Sequence, residues 1–516
     1  MRGPHNIWRL IRTGATFERT GAMRVVLDAM DVPRPLRIAA RFLGWPFKWF
    51  GLKGDTSLPP LPRALTALGP AYIKFGQALS TRPDVVGDVV GQELAWQLRI
   101  LQDKLPPFPT EVARQTVESE LGRPAAELFI DFSDAVAAAS IAQVHRARLS
   151  ATGEEVAVKV LRPRIAQAFR KDIDAFYFAA AVIEFLSPAS RRLRPRDVVA
   201  HFEGVVKEEL DLRLESAAAA EFAANTEADA GFAVPRIHWD LSGRRVMTLD
   251  WAEGISLGDN EALDAAGHDR IALSERVLSL FLSHALRDGL FHADMHQGNL
   301  KVHANGDIIA YDFGIMGYID EYTRRVYAEI IYGFIRRDYK RVAEVHFEAG
   351  YVPGNQDVDE FARALRSVGE PIFDMRAANI SMGNLLSYLF EVTDRFGMET
   401  RTELLQLQRT MVVVEGVARS LNADVNIWRV AKPVVKSYIR SSIGPRAIVR
   451  DLGRTLRVIA RFSPRLPDLA EAALARQAEV PPPPKPSSWM ARAGWVLVGA
   501  CLAGAVGAIY GLVMWH

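Results

Sequence analysis

FHADMHQGNLKVHANGDIIAYDFG, residues 291–314, decides how this 516-residue chain folds. Asn305-Gly306 is the strongest two-residue hairpin signal, set between the apolar runs 300–302 and 308–310. Counting outward from a two-residue turn pairs Ala304 with Asp307, Val302 with Ile309 and finally Asn299 with Asp312. An amide oxygen then stands opposite a carboxylate. Both are hard oxygen ligands, and one carboxylate plus one carbonyl, completed by phosphates and waters, is a common way to hold magnesium. Asp294 lies five residues before Asn299, on the loop entering the hairpin, where it could accept a proton or orient a nucleophile.

Upstream, DAVAAASIAQVHRARLSATGEEVAVKVLRP (residues 134–163) alternates as two strands around a turn at Thr152-Gly153. Val156, Val158 and Val160 face one way; Ala157, Lys159 and Leu161 face the other. A lysine in mid-strand is ordinarily a solvated one, and it is the company of the 291–314 block that gives Lys159 weight. VMTLDWAEG, with Asp250 and Trp251, marks the strand leaving this lobe toward a hinge. The basic run Arg191, Arg192, Arg194 and Arg196 reads as a solvated loop. His145 and His292 have no helical His partner at i+4 and read as structural hydrogen-bonders.

The length predicts two to four folding units. With 63 basic and 61 acidic residues, the net charge of +2 makes no case for a nucleic-acid binder. Cys501 stands alone, which excludes internal disulfides and CxxC zinc clusters. Residues 1–53 carry ten Lys/Arg against three Asp/Glu, interleaved with Trp8, Phe17, Trp45, Trp49 and Phe50. That pattern suits amphipathic helices on an anionic surface, or a basic arm packed on its own domain. At the other end, the proline run at 481–484 and Pro486 reads as a stiff linker. It precedes GWVLVGACLAGAVGAIYGLVMW, Gly494 to Trp515, 22 uncharged residues that are enough for one crossing of a bilayer. Trp489, Trp495 and Trp515 occupy interfacial positions, and Lys485 and Arg492 put positive charge upstream, so the main body is expected on the cytoplasmic side. Ala503, Gly507 and Gly511 form a small-residue face suited to a homodimer.

H-x-D-x-x-x-x-N followed by D-F-G, with an upstream V-A-V-K lysine, resembles the protein-kinase signature set. His296 stands where protein kinases usually place lysine, which looks more like the small-molecule phosphotransferase branch. AAASIAQVH (137–145) takes the place of a Gly-rich phosphate loop; IKFGQALSTRPD (73–84) contains K-x-G-Q; EELDLRLESAA (208–218) contains E-x-D. Together these resemble the UbiB family of atypical kinase-like proteins, over about residues 60–330.

The resemblance implies an α+β fold of bilobal protein-kinase type, with a helical N-terminal extension and a C-terminal transmembrane helix. Its expected layout is a basic arm (1–57), a helical K-x-G-Q extension (58–130), a small lobe (131–250), a mainly helical large lobe (251–440), a helical tail with Pro-rich linker (441–486) and an anchor (487–516). ATP and magnesium are the implied cofactors. Ala137, Ala138, Ala139 and Ser140 would form the nucleotide loop and Lys159 would hold the α/β phosphates. Of Glu209, Asp211 and Glu215, the last is favoured as the partner of Lys159. Asn299 and Asp312 would take the metal and Asp294 would be base or water-orienter. Lys74 and Gln77, facing Glu209 and Asp211, would regulate access by obstructing a peptide. Replacing glycines by alanines restricts the loop's approach to phosphate. The implied function is an ATPase or small-molecule kinase supporting ubiquinone biosynthesis at the cell inner membrane, its partners being inner-membrane lipid, polyprenyl quinone precursors and the pathway's enzymes. A nucleotide-binding pseudokinase scaffold is the alternative. No GxGxxG or metal triad supports a ring hydroxylase.

Overall fold

The computed structural model describes residues 5–29, 45–80, 107–186, 194–374, 392, 395–398 and 402–442. The expected anchor at 487–516, the linker before it, Arg191 and Arg192 lie outside these. Residues 1–439 form one unit and 440–516 a second, of which only 440–442 are described. No helix among the described residues is long and apolar enough to cross a membrane.

The first unit opens with α1 (His5–Thr20), α2 (Ala22–Ala29), a 3-10 helix (Trp45–Phe50), α3 (Pro60–Leu68) and α4 (Pro70–Ser80). Proline at the first helical position starts α3, where a missing N–H costs nothing. α5 (Thr110–Leu121) and α6 (Ala125–Leu128) lead into β1 (Phe129–Ile130), β2 (Ala135–Ala138), β3 (Ala142–Leu149), β4 (Glu155–Leu161) and, after an insertion, β6 (Val246–Asp250). These build one antiparallel sheet, β1-β3-β4-β6, with β2 also on β3. The alternation along β4 places Val156, Val158 and Val160 in a core with Ala113 and Val117 of α5. Thus residues 107–130, which the sequence layout assigns to the helical extension, pack against the small-lobe sheet. The opposite face of β4 carries Ala157, Lys159 and Leu161, with Lys159 in register between Val144 and Met247.

The insertion between β4 and β6 holds α7 (Ile165–Leu186), α8 (Pro195–Glu209), α9 (Leu212–Thr226) and β5 (Phe232–Ala233). Asp211 caps α9 by accepting the Arg213 amide. α4 is stapled to α7 and α8 by aromatic packing: Tyr72 and Phe75 lie 4.9 and 4.8 Å from Phe176, and Phe75 lies 5.2 Å from Phe202.

Past the hinge come β7 (Ile255–Ser256), α10 (Asn260–Ala265), α11 (Arg270–Ser283) and a π-helical turn (His284–Asp288), then β8 (Leu290–His292), β9 (Leu300–Val302), β10 (Ile308–Ala310) and β11 (Met316–Tyr318). Helices α12 (Glu321–Ile335), α13 (Tyr339–Glu348), α14 (Val358–Asp374), α15 (Thr402–Leu421) and α16 (Ile427–Ser442) complete it. The strands pair as β5-β10-β9-β7 and β8-β11. Val277, Leu278 and Phe281 of α11 share the main core with Val414, Val417 and Ala418 of α15.

The central hairpin departs from the two-residue count. Val302 pairs with Ile308, Lys301 with Ile309 and Leu300 with Ala310, one residue out of the expected register. The loop closes from His303 to Asp307, whose backbones bond at 2.9 Å, and Gly306 alone takes a positive φ, +88°. Asn305 accepts the Asp307 amide on its side chain at 3.0 Å, so an Asx turn replaces the tight Asn-Gly turn. In consequence the Tyr311 amide, not Asp312, meets the Asn299 carbonyl at 3.3 Å.

Candidate nucleotide site

Strand β4 and helix α9 bring the first pair together: Lys159 Nζ donates to Glu215 Oε1 at 2.6 Å and to Asp312 Oδ1 at 3.4 Å. Glu215 lies in the first turn of α9, so the Asp211 cap aims it. Burial works against the ammonium, but the Asp312 and Glu215 charges outweigh it and hold the lysine above its ordinary range. The Lys159 charge in turn holds the Asp312 carboxyl down at about 2. Burial pushes Glu215 upward against the pull of Lys159.

The D-F-G segment is fixed by its neighbours. Phe313 is buried, 6.1 Å from Phe222 of α9 and 5.8 Å from His292. The Gly314 amide donates to Asp312 Oδ1 at 3.2 Å. Among the described residues both bonds to this carboxylate fall on Oδ1, its side chain stays 44% exposed, and Oδ2 is open.

The loop after β8 presents Asp294, 42% exposed. Asn299 Nδ2 donates to the Asp294 carbonyl at 3.0 Å and to its Oδ2 at 3.3 Å, and the amide oxygen of Asn299 meets no partner among the described residues. His292 accepts the Asp294 amide on Nδ1 at 3.1 Å, which places its proton on Nε2. Burial lowers the His292 pKa, while the Asp312 and Asp294 charges on either side oppose the shift. His145 likewise bonds Ser133 and Gln143, and no cluster of metal-binding side chains of the His/Cys/Asp/Glu kind occurs among the described residues.

Three residues that sequence reading passed over brace the segments around the site. Thr410 of α15 donates to the Ala293 carbonyl at 3.1 Å, and Gln406, one turn earlier, donates to the Met316 carbonyl at 3.5 Å. Arg162 donates from Nε and Nη2 to the Ala139 carbonyl, both at 3.1 Å. Ala137 and Ala138 end β2; Ala139 and Ser140 form the turn to β3, closed by the Ala139 amide on the Ala142 carbonyl at 2.8 Å. Ser140 is buried and its hydroxyl has no partner among the described residues.

Lys74 of α4 donates to Glu209 at the end of α8, 3.1 Å away, with Gln77 one turn on along the same helix. Asp211 does not join that contact: its carboxylate forks onto Arg213 at 2.6 and 2.8 Å. A cavity of about 620 Å³ borders the loop, lined by Ser256, Asp259, Glu261, Gln297 and Gly298 among others.

The donor set suits a nucleotide with magnesium. Among the described residues Asp312 Oδ2 and Asn299 Oδ1 have no hydrogen-bond partner, and Asp312 lies against the part-buried Lys159 ammonium; two hard oxygens and a cation of this kind suit a magnesium phosphate.

Comparison with known proteins gives the same outline. The ABC1 atypical kinase-like domain matches residues 100–346 and the UbiB helical domain matches residues 365–426. The chain is 38% identical over 471 residues to the probable protein kinase UbiB of Marinobacter nauticus, covering 90% of this chain and 85% of that protein. Its likeness to the proteins of the same description from Cronobacter sakazakii (39% over 473 residues; 90% and 85%) and Pseudomonas aeruginosa (36% over 504; 96% and 93%) is similar. Among solved structures, the complex of Rv3197 with erythromycin from Mycobacterium tuberculosis aligns with a TM-score of 0.51 and 26% identity, covering 70% of this chain and 90% of that one.

Proposed function

Because this chain belongs to the UbiB family of ABC1 atypical kinase-like proteins, we propose that it is a membrane-anchored ATPase or phosphotransferase that supports ubiquinone biosynthesis by acting on a lipid or other small molecule. One observation carries the reading: Lys159 bridges Glu215 and Asp312 while Asn299 holds Asp294 on the adjoining loop, so the lysine, its acid partner, the D-F-G aspartate and the loop Asp–Asn pair of a kinase-type cleft are all in place. When bound, magnesium would supply positive charge to offset that of the phosphates. Lys159 would donate to the α/β phosphates, oriented by Glu215; Asp312 and Asn299 would hold the metal through their open oxygens. Asp294 would take the proton of an attacking hydroxyl or orient a water. Turnover is favoured over a pseudokinase scaffold because Asp294 is solvent-accessible and held by Asn299, one of the two residues assigned to the metal.

A small acceptor is favoured over a protein for two reasons. The K-x-G-Q helix α4 is tied by Lys74 to Glu209, only six residues from Glu215, where it would obstruct a polypeptide. His296 replaces the lysine usual in protein kinases. The uncharged run Gly494 to Trp515 supports a single-pass anchor in the cell inner membrane, with its lipids, polyprenyl precursors and the biosynthetic enzymes as partners. The test is ATP turnover by the full chain in vesicles, with a polyprenylated phenol or with a mixed protein substrate. Stimulation by the phenol alone is expected; phosphate transfer to protein without any effect of the phenol would overturn the substrate assignment.

A further inference from the structure

We infer that this chain carries a lipid-contacting surface separate from its C-terminal run: the face made by Ile7 and Trp8 of α1 with Trp49 and Phe50 of the 3-10 helix, its ligand being the interfacial zone of an anionic bilayer. The inference does not depend on the activity proposed above.

The chain gathers these side chains from stretches about forty residues apart, and Trp8 meets Phe50 edge to face at 5.9 Å. Trp49 is 72% exposed and the other three are more than half exposed. Aromatic rings left together in water on a folded surface mark a contact face. The platform beneath them is fixed. Leu52 donates its amide to Thr16 Oγ1 at 3.0 Å and Arg19 donates to the Gly51 carbonyl at 2.7 Å. Gly51 lies so close to α1 that a Cβ there would come within 2.3 Å of the Ala15 carbonyl oxygen. On its other side α1 is tied by an Arg9–Asp172 ion pair and by Thr13 to Tyr72 at 2.7 Å. Presenting the rings therefore costs little further ordering entropy on binding.

The charges choose the ligand. Arg12 and Arg19 follow Trp8 at helical spacing, on the same face, and are exposed. Lys48 Nζ lies 5.3 Å from the Trp49 ring centre. Residues 1–53 hold ten basic and three acidic side chains. Tryptophan at the level of the headgroups, with arginine and lysine beside it, is how an interfacial element grips an anionic leaflet.

The test uses the full chain with Cys501→Ala, a nitroxide on Ile7→Cys and, as control, one on Ile271→Cys, which is 59% exposed on α11. In vesicles of equal phosphatidylcholine and phosphatidylglycerol, the label at 7 should become accessible to oxygen and shielded from a nickel chelate. The ratio of the two accessibilities should rise severalfold over that in phosphatidylcholine alone, and fall in high salt. The label at 271 should stay aqueous in both. Adding Trp49→Ser and Phe50→Ser should return the label at 7 toward water with an unchanged circular dichroism spectrum. A label at 7 that remains open to the nickel chelate in anionic vesicles overturns the proposal. So does one shielded from both probes, which would assign the face to a protein partner or a second copy.

Discussion

Lys159 sets the charge state of Asp312, and that charge is what a magnesium ion would meet. Asp312→Asn should abolish magnesium-dependent nucleotide binding while leaving the fold intact, because the carboxylate is an open edge of the cleft. Nucleotide titrations with and without magnesium check it; unchanged magnesium-dependent affinity would defeat the assignment. The pH dependence has a definite sign. The Asp312 pKa is depressed to about 2 from the ordinary value near 4, so its contribution to stability is fully present above pH 4 and is lost as pH falls toward 2. Magnesium-dependent binding should therefore lose nothing to Asp312 protonation between pH 8 and 5. At this scale the sequence was informative about residue identity and weak about partners. Glu209, Asp211 and Glu215 all stand near one another in the chain, and 56 residues separate Lys159 from Glu215, so only the packing of α9 against β6, the neighbour of β4, selects among them. Thr410 was illegible for the same reason: a threonine in an amphipathic helix carries no sign that it holds a carbonyl 117 residues away.

The β9–β10 hairpin was legible as an element and misread in register. An Asn-Gly pair predicts a hairpin, but Asn305 folds its side chain back onto the Asp307 amide and lengthens the loop by one residue. Gly306→Ala should cost about 1 to 2 kcal/mol, since only Gly306 takes the left-handed conformation. Asn305→Ala should cost under about 1 kcal/mol, the worth of an exposed side-chain bond. Denaturant titration of both variants decides; equal large losses would instead indicate a tight turn with both residues left-handed. The β2–β3 hairpin carries its own expectation. Ala139→Gly should alter nucleotide affinity at a stability cost of no more than about 1 kcal/mol, because glycine opens backbone conformations that alanine lacks. Arg162→Met, which frees the Ala139 carbonyl, should change affinity too. Stability lost with affinity unchanged in both would make this turn packing alone. Alternation along β4 was readable because its two faces meet different cores, whereas the sequence beyond residue 330 shows only helical amphipathicity and gave no clue that α15 would brace the loop after β8.

Across the whole molecule, the outline of two lobes followed from the order of strand, hinge and loop motifs, while membrane attachment rests on the composition of the two ends. Deleting residues 487–516 should release much of the chain from membranes, leaving a weaker, salt-sensitive fraction held through the aromatic face of α1 and the 3-10 helix. Fractionation at low and high salt separates the two; full retention at high salt would contradict a single C-terminal anchor. The central claim is that the cleft between β4, α9 and the 291–314 block turns over ATP. Its most direct test is magnesium-dependent ATP hydrolysis by the vesicle-bound full chain and by its Asp294→Asn variant, with nucleotide affinity measured alongside. The account predicts a fall in turnover of at least about a hundredfold, as expected for loss of a proton-accepting group, with ATP still bound; an Asp294→Asn protein that hydrolyses ATP at the parent rate would contradict it.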